Sequence, residues 1–232
     1  MDYRKLIFQR KSLLLVLMLK LSNLSGQVLV HEEPRHHLVF QNKEIRILNV
    51  LIPPNDTSQY HTHTTPSLFI RFTNTTTGSQ LQGGKASTGK SIAGTLLFEN
   101  LAPPNIRTHR VWNVDKDTFN VMDVEILVKD SVFNNEPLSM TNLELEIDTN
   151  WVRAYRLTML RGTEFKIKNK GQLLILVSLN VATMQTKQNG KTDYRTRKPG
   201  SYFVIGRRQS FSIKNTTDKS TPFVLVELPS NK

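Results

Sequence analysis

The feature that most limits what this chain can fold into is that it repeats its own plan. Ile45-Arg46-Ile47-Leu48-Asn49-Val50 lines up with Val152-Arg153-Ala154-Tyr155-Arg156-Leu157 at a constant offset of 107 residues. At that offset Pro54-Asn55-Asp56-Thr57 falls on Arg161-Gly162-Thr163-Glu164, and Ser67-Leu68-Phe69-Ile70 on Leu174-Ile175-Leu176-Val177. Farther along the offset becomes 102. There Asn113 meets Asn215, His109 meets Phe211, and Val121-Met122-Asp123-Val124-Glu125-Ile126 meets Phe223-Val224-Leu225-Val226-Glu227-Leu228. Such self-similarity predicts two structural units of one plan in tandem.

Both copies have a β texture. Runs rich in Val, Ile, Leu, Phe and Thr occupy residues 45–52, 67–72, 121–128, 152–159, 173–179 and 222–228, the length and composition of strands. Turn clusters separate them: Pro53-Pro54-Asn55-Asp56, Thr77-Gly78-Ser79, Ala102-Pro103-Pro104-Asn105, Arg161-Gly162-Thr163 and Gln188-Asn189-Gly190. Outside residues 1–26 no window shows a helical stripe. The boundary between units is expected near residues 133–140, where Asn134-Asn135-Glu136-Pro137 interrupts the strand pattern. The expected division is residues 1–26, 27–135 and 136–232.

Residues 1–26 read as an export signal: Arg4, Lys5, Arg10 and Lys11 precede an apolar Leu13–Leu19 run, and Leu24-Ser25-Gly26 places small residues before Gln27. An uncleaved N-terminal membrane anchor is the competing expectation. The chain has no cysteine, so disulfides and thiolate ligands are excluded. Export without cysteine suits a bacterial periplasmic or extracellular protein. The formal charge is +12. Residues 1–26 hold five of the 31 basic and one of the 19 acidic side chains, which leaves +8 for the remainder. The surplus gathers between Lys187 and Arg208. A basic face can bind polyanions, but this stretch reads as a solvated loop with its flanking strand, and nucleic acid fits poorly with export.

All six histidines (His31, His36, His37, His61, His63, His109) lie in the first 109 residues. His61-Thr62-His63 places two imidazoles on one face of a strand. A third from His109, on another strand, would complete a three-nitrogen set with positions left open for water or substrate. His36-His37 reads as a surface pair. In the second unit the constant offset puts Lys168 and Lys170 at the places of His61 and His63, where two ammonium groups would repel a cation.

A His-x-His followed by Pro-x-x-x-x-His-x-x-x-Asn, here Pro104-Asn105-Ile106-Arg107-Thr108-His109-Arg110-Val111-Trp112-Asn113, is similar to the two motifs of the cupin superfamily. The second copy, from Gly200 to Asn215, keeps the leading Gly and closing Asn but has Gly206 for the Pro and Phe211 for the His. The resemblance implies an all-β bicupin: two tandem double-stranded β-barrels of jelly-roll type, the second degenerate. It implies a divalent metal on His61, His63 and His109. The family's glutamate ligand should stand where Ser67 and Leu68 do, and neither replaces a carboxylate. Three imidazoles favour iron, with zinc, copper, nickel or manganese as alternatives, over magnesium or calcium. Gln59 and Glu99 are candidates to supply an oxygen nearby. The implied activity is that of a metal-dependent dioxygenase or related small-molecule enzyme. The alternative is a non-catalytic envelope protein that binds a sugar or organic acid, and a homodimer is compatible with either.

Gly84-Lys85-Ala86-Ser87-Thr88-Gly89-Lys90-Ser91 matches the phosphate-cradling P-loop pattern. That loop needs an apolar parallel strand before it and a helix starting at its lysine. Residues 78–83 do not read as a buried strand and residues 92–97 look extended, so no NTP site is expected here.

Overall fold

A computed structural model describes residues 27–128, 133–168 and 171–229, and within them the chain is all-β apart from one short 3-10 turn, Val30–Glu32. The expected export signal lies outside the described residues. In the first half, one five-stranded sheet runs Val28–Leu29, His61–His63, Arg107–Asn113, Thr75–Leu81, Ala86–Ser91 in hydrogen-bonded order. The other runs His36–Gln41, Ile45–Ile52, Phe119–Ile126, Ser67–Arg71, Leu96–Glu99. The second half repeats this plan with Leu143–Asp148, Arg153–Met159, Thr221–Leu228, Leu173–Ser178, Tyr202–Ile205 and with Glu164–Lys168, Ser210–Asn215, Ala182–Gln188, Lys191–Arg197.

Strand register bears out the repeat. Val121 pairs with Val50 on one side and Arg71 on the other, while Phe223 pairs with Leu157 and Ser178. The closing asparagine of each motif does one job in both halves. Asn113 Nδ2 donates to the carbonyls of Ile52 (2.9 Å) and Asp117 (2.7 Å). Asn215 Nδ2 donates to those of Met159 (3.0 Å) and Lys219 (2.8 Å). Both side chains are buried and satisfy main-chain groups that turn away from the sheets.

No strand pairing joins the two sheets of either half among the described residues. Each half is therefore an open sandwich, not the closed barrel expected from the sequence. The outer strands explain this. Ala86–Ser91 is almost wholly exposed and polar, and Lys191–Arg197 is mostly exposed and charged, with Asp193 bound to Arg195 (3.0 Å) and Arg197 (2.8 Å). Such edges discourage further pairing.

The two halves meet back to back through one apolar layer. Ile45, Ile47, Leu68, Ile70, Met122 and Val124 of the first pack with Ala154, Ile175, Val177, Val224 and Val226 of the second. Each such buried side chain contributes roughly 1.5–3 kcal/mol relative to exposure. As a result Phe119–Ile126 and Thr221–Leu228 are covered on both faces. Arg207 reaches across to Glu44 (3.1 Å), and the Tyr202 hydroxyl donates to the Val39 carbonyl (2.9 Å).

One local expectation needs correction. Thr77-Gly78-Ser79 is not a turn but the middle of strand Thr75–Leu81. Gly78 lies beneath the indole of Trp112, where a Cβ would come within 1.9 Å of the ring, so its glycine serves close packing rather than chain reversal. The P-loop-like segment lies in this same hairpin. Its residues from Ala86 onward form an antiparallel strand against Thr75–Leu81, and the strand Leu96–Glu99 follows in place of a helix.

Candidate metal centre

The three predicted histidines are brought together. His61 pairs directly opposite His109 on the neighbouring strand, and His63 lies two residues on, on the same face. One ligand nitrogen from each lies within 4.8 Å of the others. His63 Nε2 and His109 Nε2 are 3.2 Å apart. Metal–nitrogen bonds of ~2.1 Å require ligand nitrogens about 3 Å apart, so this spacing fits a shared ion. His61 Nδ1–H donates to the Gln59 carbonyl at 3.0 Å, which leaves Nε2 with its lone pair free. Among the described residues, His63 Nδ1 and both oxygens of fully buried Asp123 have no hydrogen-bond partner, although Nδ1 stands only 3.7 Å from Oδ2. An imidazole ligated through Nε2 carries its proton on Nδ1, and a carboxylate behind it is the usual support. The orphaned atoms therefore fit a metal on the other side of the ring.

A single extra residue aims the histidine pair inward. Thr57 bridges to Trp112, and continuing that register would pair Tyr60, not His61, with His109. One residue is inserted between, a β-bulge over residues 58–60. Main-chain and side-chain bonds pin it: Ser58 N–H donates to the Val111 carbonyl (2.8 Å), Val111 N–H to Ser58 Oγ (2.9 Å), and Gln59 N–H to Glu33 Oε1 (3.1 Å). The second half has no such insertion: Glu164 pairs with Lys214 and Ile167 with Phe211 in unbroken register.

The counterpart of His61 is therefore Ile167, one residue earlier than the constant offset gives. The side chain of Lys168 and all of Lys170 lie outside the described residues. Charge repulsion is not what fills this place. Ile167 and Phe211 are buried in a core with Met184 and Leu225, and the Phe203 ring lies 5.3 Å from that of Phe211. Leu225 stands at the position of Asp123. The second sandwich is packed with hydrocarbon where the first is lined with histidines.

The remaining sequence expectations divide. His37 is exposed as expected, but His36 is buried, its Nδ1 2.6 Å from Glu33 Oε2 and its ring centroid 4.5 Å from that of His61. Gln59 contributes its carbonyl, while the residue itself is exposed. Glu99 lines the cavity but is held by Arg107 through two bonds of 2.5 and 2.7 Å. Asp123 was not anticipated; its signal was an acidic residue in the middle of the buried strand Phe119–Ile126, on the face of Val121.

Burial sets the protonation of the cluster. It lowers the pKa of His61 to about 4, helped by nearby His36, and that of His109 to about 3, helped by His61 and Arg107. It pushes His63 well below its ordinary range, with His109 and His61 adding to the effect. Burial, with Glu125 beside it, raises Asp123 well above the usual carboxylate range. All three imidazoles are thus neutral at neutral pH, the form that binds metal. The unfolded chain protonates its histidines near ~6.5, while the folded chain resists until about 4 or below. The histidines' contribution to the stability of the metal-free protein is therefore fully present above pH 6.5 and is lost on acidification toward pH 4, by about 1.4 kcal/mol per pH unit per histidine. Melting in chelator from pH 7 to 4.5 should show this, and a variant with glutamine at all three positions should lose less. Equal slopes for the two proteins would contradict the assignment.

The histidines open into a cavity of about 230 Å³ lined by Val50, Ile52, Phe69, Leu97, Phe119 and Val121 together with Arg71 and Arg107.

No protein-family model matches the chain, and no curated protein matches it by sequence. Solved structures do resemble it. Salicylate 1,2-dioxygenase from Pseudoaminobacter salicylatoxidans, in a structure described as adducts with gentisate, superimposes with a TM-score of 0.60 at 12% identity, covering 93% of this chain and 79% of that one. AerE from Microcystis aeruginosa gives 0.60 at 10% identity, covering 84% and 98%. A cupin 2 conserved barrel domain protein from Leptotrichia buccalis gives 0.53 at 10%, covering 83% and 87%. Likeness at this identity speaks for the fold. Together with the histidine cluster on its facing strands, it makes this chain a cupin in fold, two sandwich units in tandem with the cluster in the first.

Proposed function

We propose that the chain is an exported cupin-fold protein whose His61, His63 and His109 hold a divalent metal, iron foremost, and that it is a metal-dependent oxygenase or related enzyme acting on a small molecule. The observation that carries this reading is the convergence of three neutral imidazoles from two strands at a largely apolar, part-open cavity. A metal bound there supplies a Lewis acid with positions open to oxygen donors. The protein's own groups do the rest. The apolar walls exclude water, the Gln59 carbonyl fixes the His61 tautomer, and Asp123 backs His63. The dioxygenase among the structural neighbours supports oxygen chemistry as the first to test, and zinc, copper, nickel or manganese would serve the same donor set.

The test is metal analysis of protein purified without a histidine tag, beside a His61→Ala/His109→Ala variant. Wild type is expected to hold about one equivalent and the variant almost none. A wild-type protein that neither carries metal nor takes it up on titration would end the proposal. Oxygen consumption with phenols or thiols then separates an enzyme from a binder of sugars or organic acids. An intact mass starting at Gln27 in exported material tests the signal.

A further inference from the structure

Most of the charged groups around the cavity are paired, and one guanidinium is left over. Arg107 is bound by Glu99, Glu33 by His36 (2.6 Å) and Arg46 by Glu125 (2.7 Å). Arg71 also lines the cavity, and among the described residues its guanidinium has no hydrogen-bond or ion-pair partner. It is half-buried. Its position on Ser67–Arg71 fixes its direction. Leu68 and Ile70 face the layer shared with the second half, so Ser67, Phe69 and Arg71 face the interior. Phe69 packs against His63 at 5.9 Å between ring centroids. Arg71 lies one inward step beyond it, about 7 Å along the strand. A cation is thus held at a short distance from the histidines with hydrocarbon between.

We infer that Arg71 anchors the carboxylate of a small organic acid whose apolar body fills the cavity and whose other oxygen donor points to the histidine cluster. This assignment rests on the metal-site reading for its second contact but not for its first. Three properties favour that ligand class. A guanidinium presents a planar fork that matches a carboxylate in bidentate fashion. One unpaired cation suits a monoanion. The cavity, at about 230 Å³, is smaller than the ~300–1,000 Å³ of pockets for drug-sized ligands, and its walls of Val50, Ile52, Leu97 and Phe119 suit a compact hydrocarbon body such as one ring.

The probes are 2-hydroxybenzoate and its uncharged analogue 2-hydroxybenzamide, titrated calorimetrically into the full chain with and without one equivalent of zinc. Wild type should bind the acid about tenfold more tightly than the amide. Arg71→Gln should abolish that preference while leaving amide affinity and melting temperature unchanged, and Arg71→Lys should restore part of it. A preference that survives Arg71→Gln would overturn the assignment, as would a wild-type protein that binds both probes alike or neither. If zinc fails to bind but the metal-free wild type still prefers the acid and Arg71→Gln does not, the metal reading falls and the role of Arg71 stands.

Discussion

Insertion of one alanine between Tyr60 and His61 is expected to leave both sandwiches folded and to remove the metal site. The bulge between the Thr57–Trp112 bridge and the His61–His109 pair sets the phase of the histidine strand. With the bridge and the bulge kept, the added residue takes the place opposite His109 and His61 moves one place on. A one-residue slip moves every following side chain to the other face of a strand, so both histidines would point away from the cavity. Metal affinity should fall by more than about 100-fold, beyond the usual cost of disturbing a supporting group. The far-ultraviolet circular dichroism spectrum should stay β. Metal titration beside the spectrum checks this, and retained binding would show that the bulge does not set the phase.

The second large effect concerns stability. Asn215→Ala removes the Nδ2 bonds to the Met159 and Lys219 carbonyls and the bond from Thr217 N–H to Oδ1 (3.0 Å), all at a side chain with no exposed surface. Losing buried bonds of this kind costs roughly 3 kcal/mol in total. For a chain of this size that lowers the melting temperature by about 6–12 °C. Asn113→Ala should cost a similar amount and in addition weaken metal binding, because Asn113 ends the strand that carries His109. A calorimetric scan of each variant, with a metal titration of the second, separates these effects. If Asn215→Ala melts with wild type, the asparagine is not the corner pin described.

These two variants mark the limits of what could be read from the residues. Strand runs, the tandem plan and the three histidines that converge were legible because period-2 apolar patterning and a His-x-His need only local information. The paired asparagines also showed in the repeat. Phase did not. A constant offset assumes no insertion, and a bulge is recorded in pairing across strands rather than along one. It therefore gave Lys168 as the counterpart of His61, where the structure has Ile167 opposite Phe211. His36 looked like a surface residue because nothing in His36-His37 tells which of two alternating neighbours faces Glu33. Asp123 and Arg71 are ordinary charges until the register shows which face they share. Gly78 imitated a turn because glycine serves both chain reversal and close ring packing, and only Trp112 distinguishes them.

The apolar layer between the halves bears on why a half without ligands persists at all. Leu68, Ile70, Met122 and Val124 form the outer face of the very sheet whose inner face supports the histidines. A shortened gene that ended after the first half would leave that face to water, and the product would be sticky before it was inactive. The second half is therefore needed as a cover for the first, whatever its own interior holds. Its interior is free to fill with hydrocarbon so long as Ala154, Ile175, Val177, Val224 and Val226 keep their contour. The second half thus serves the first by its back, not by its mouth.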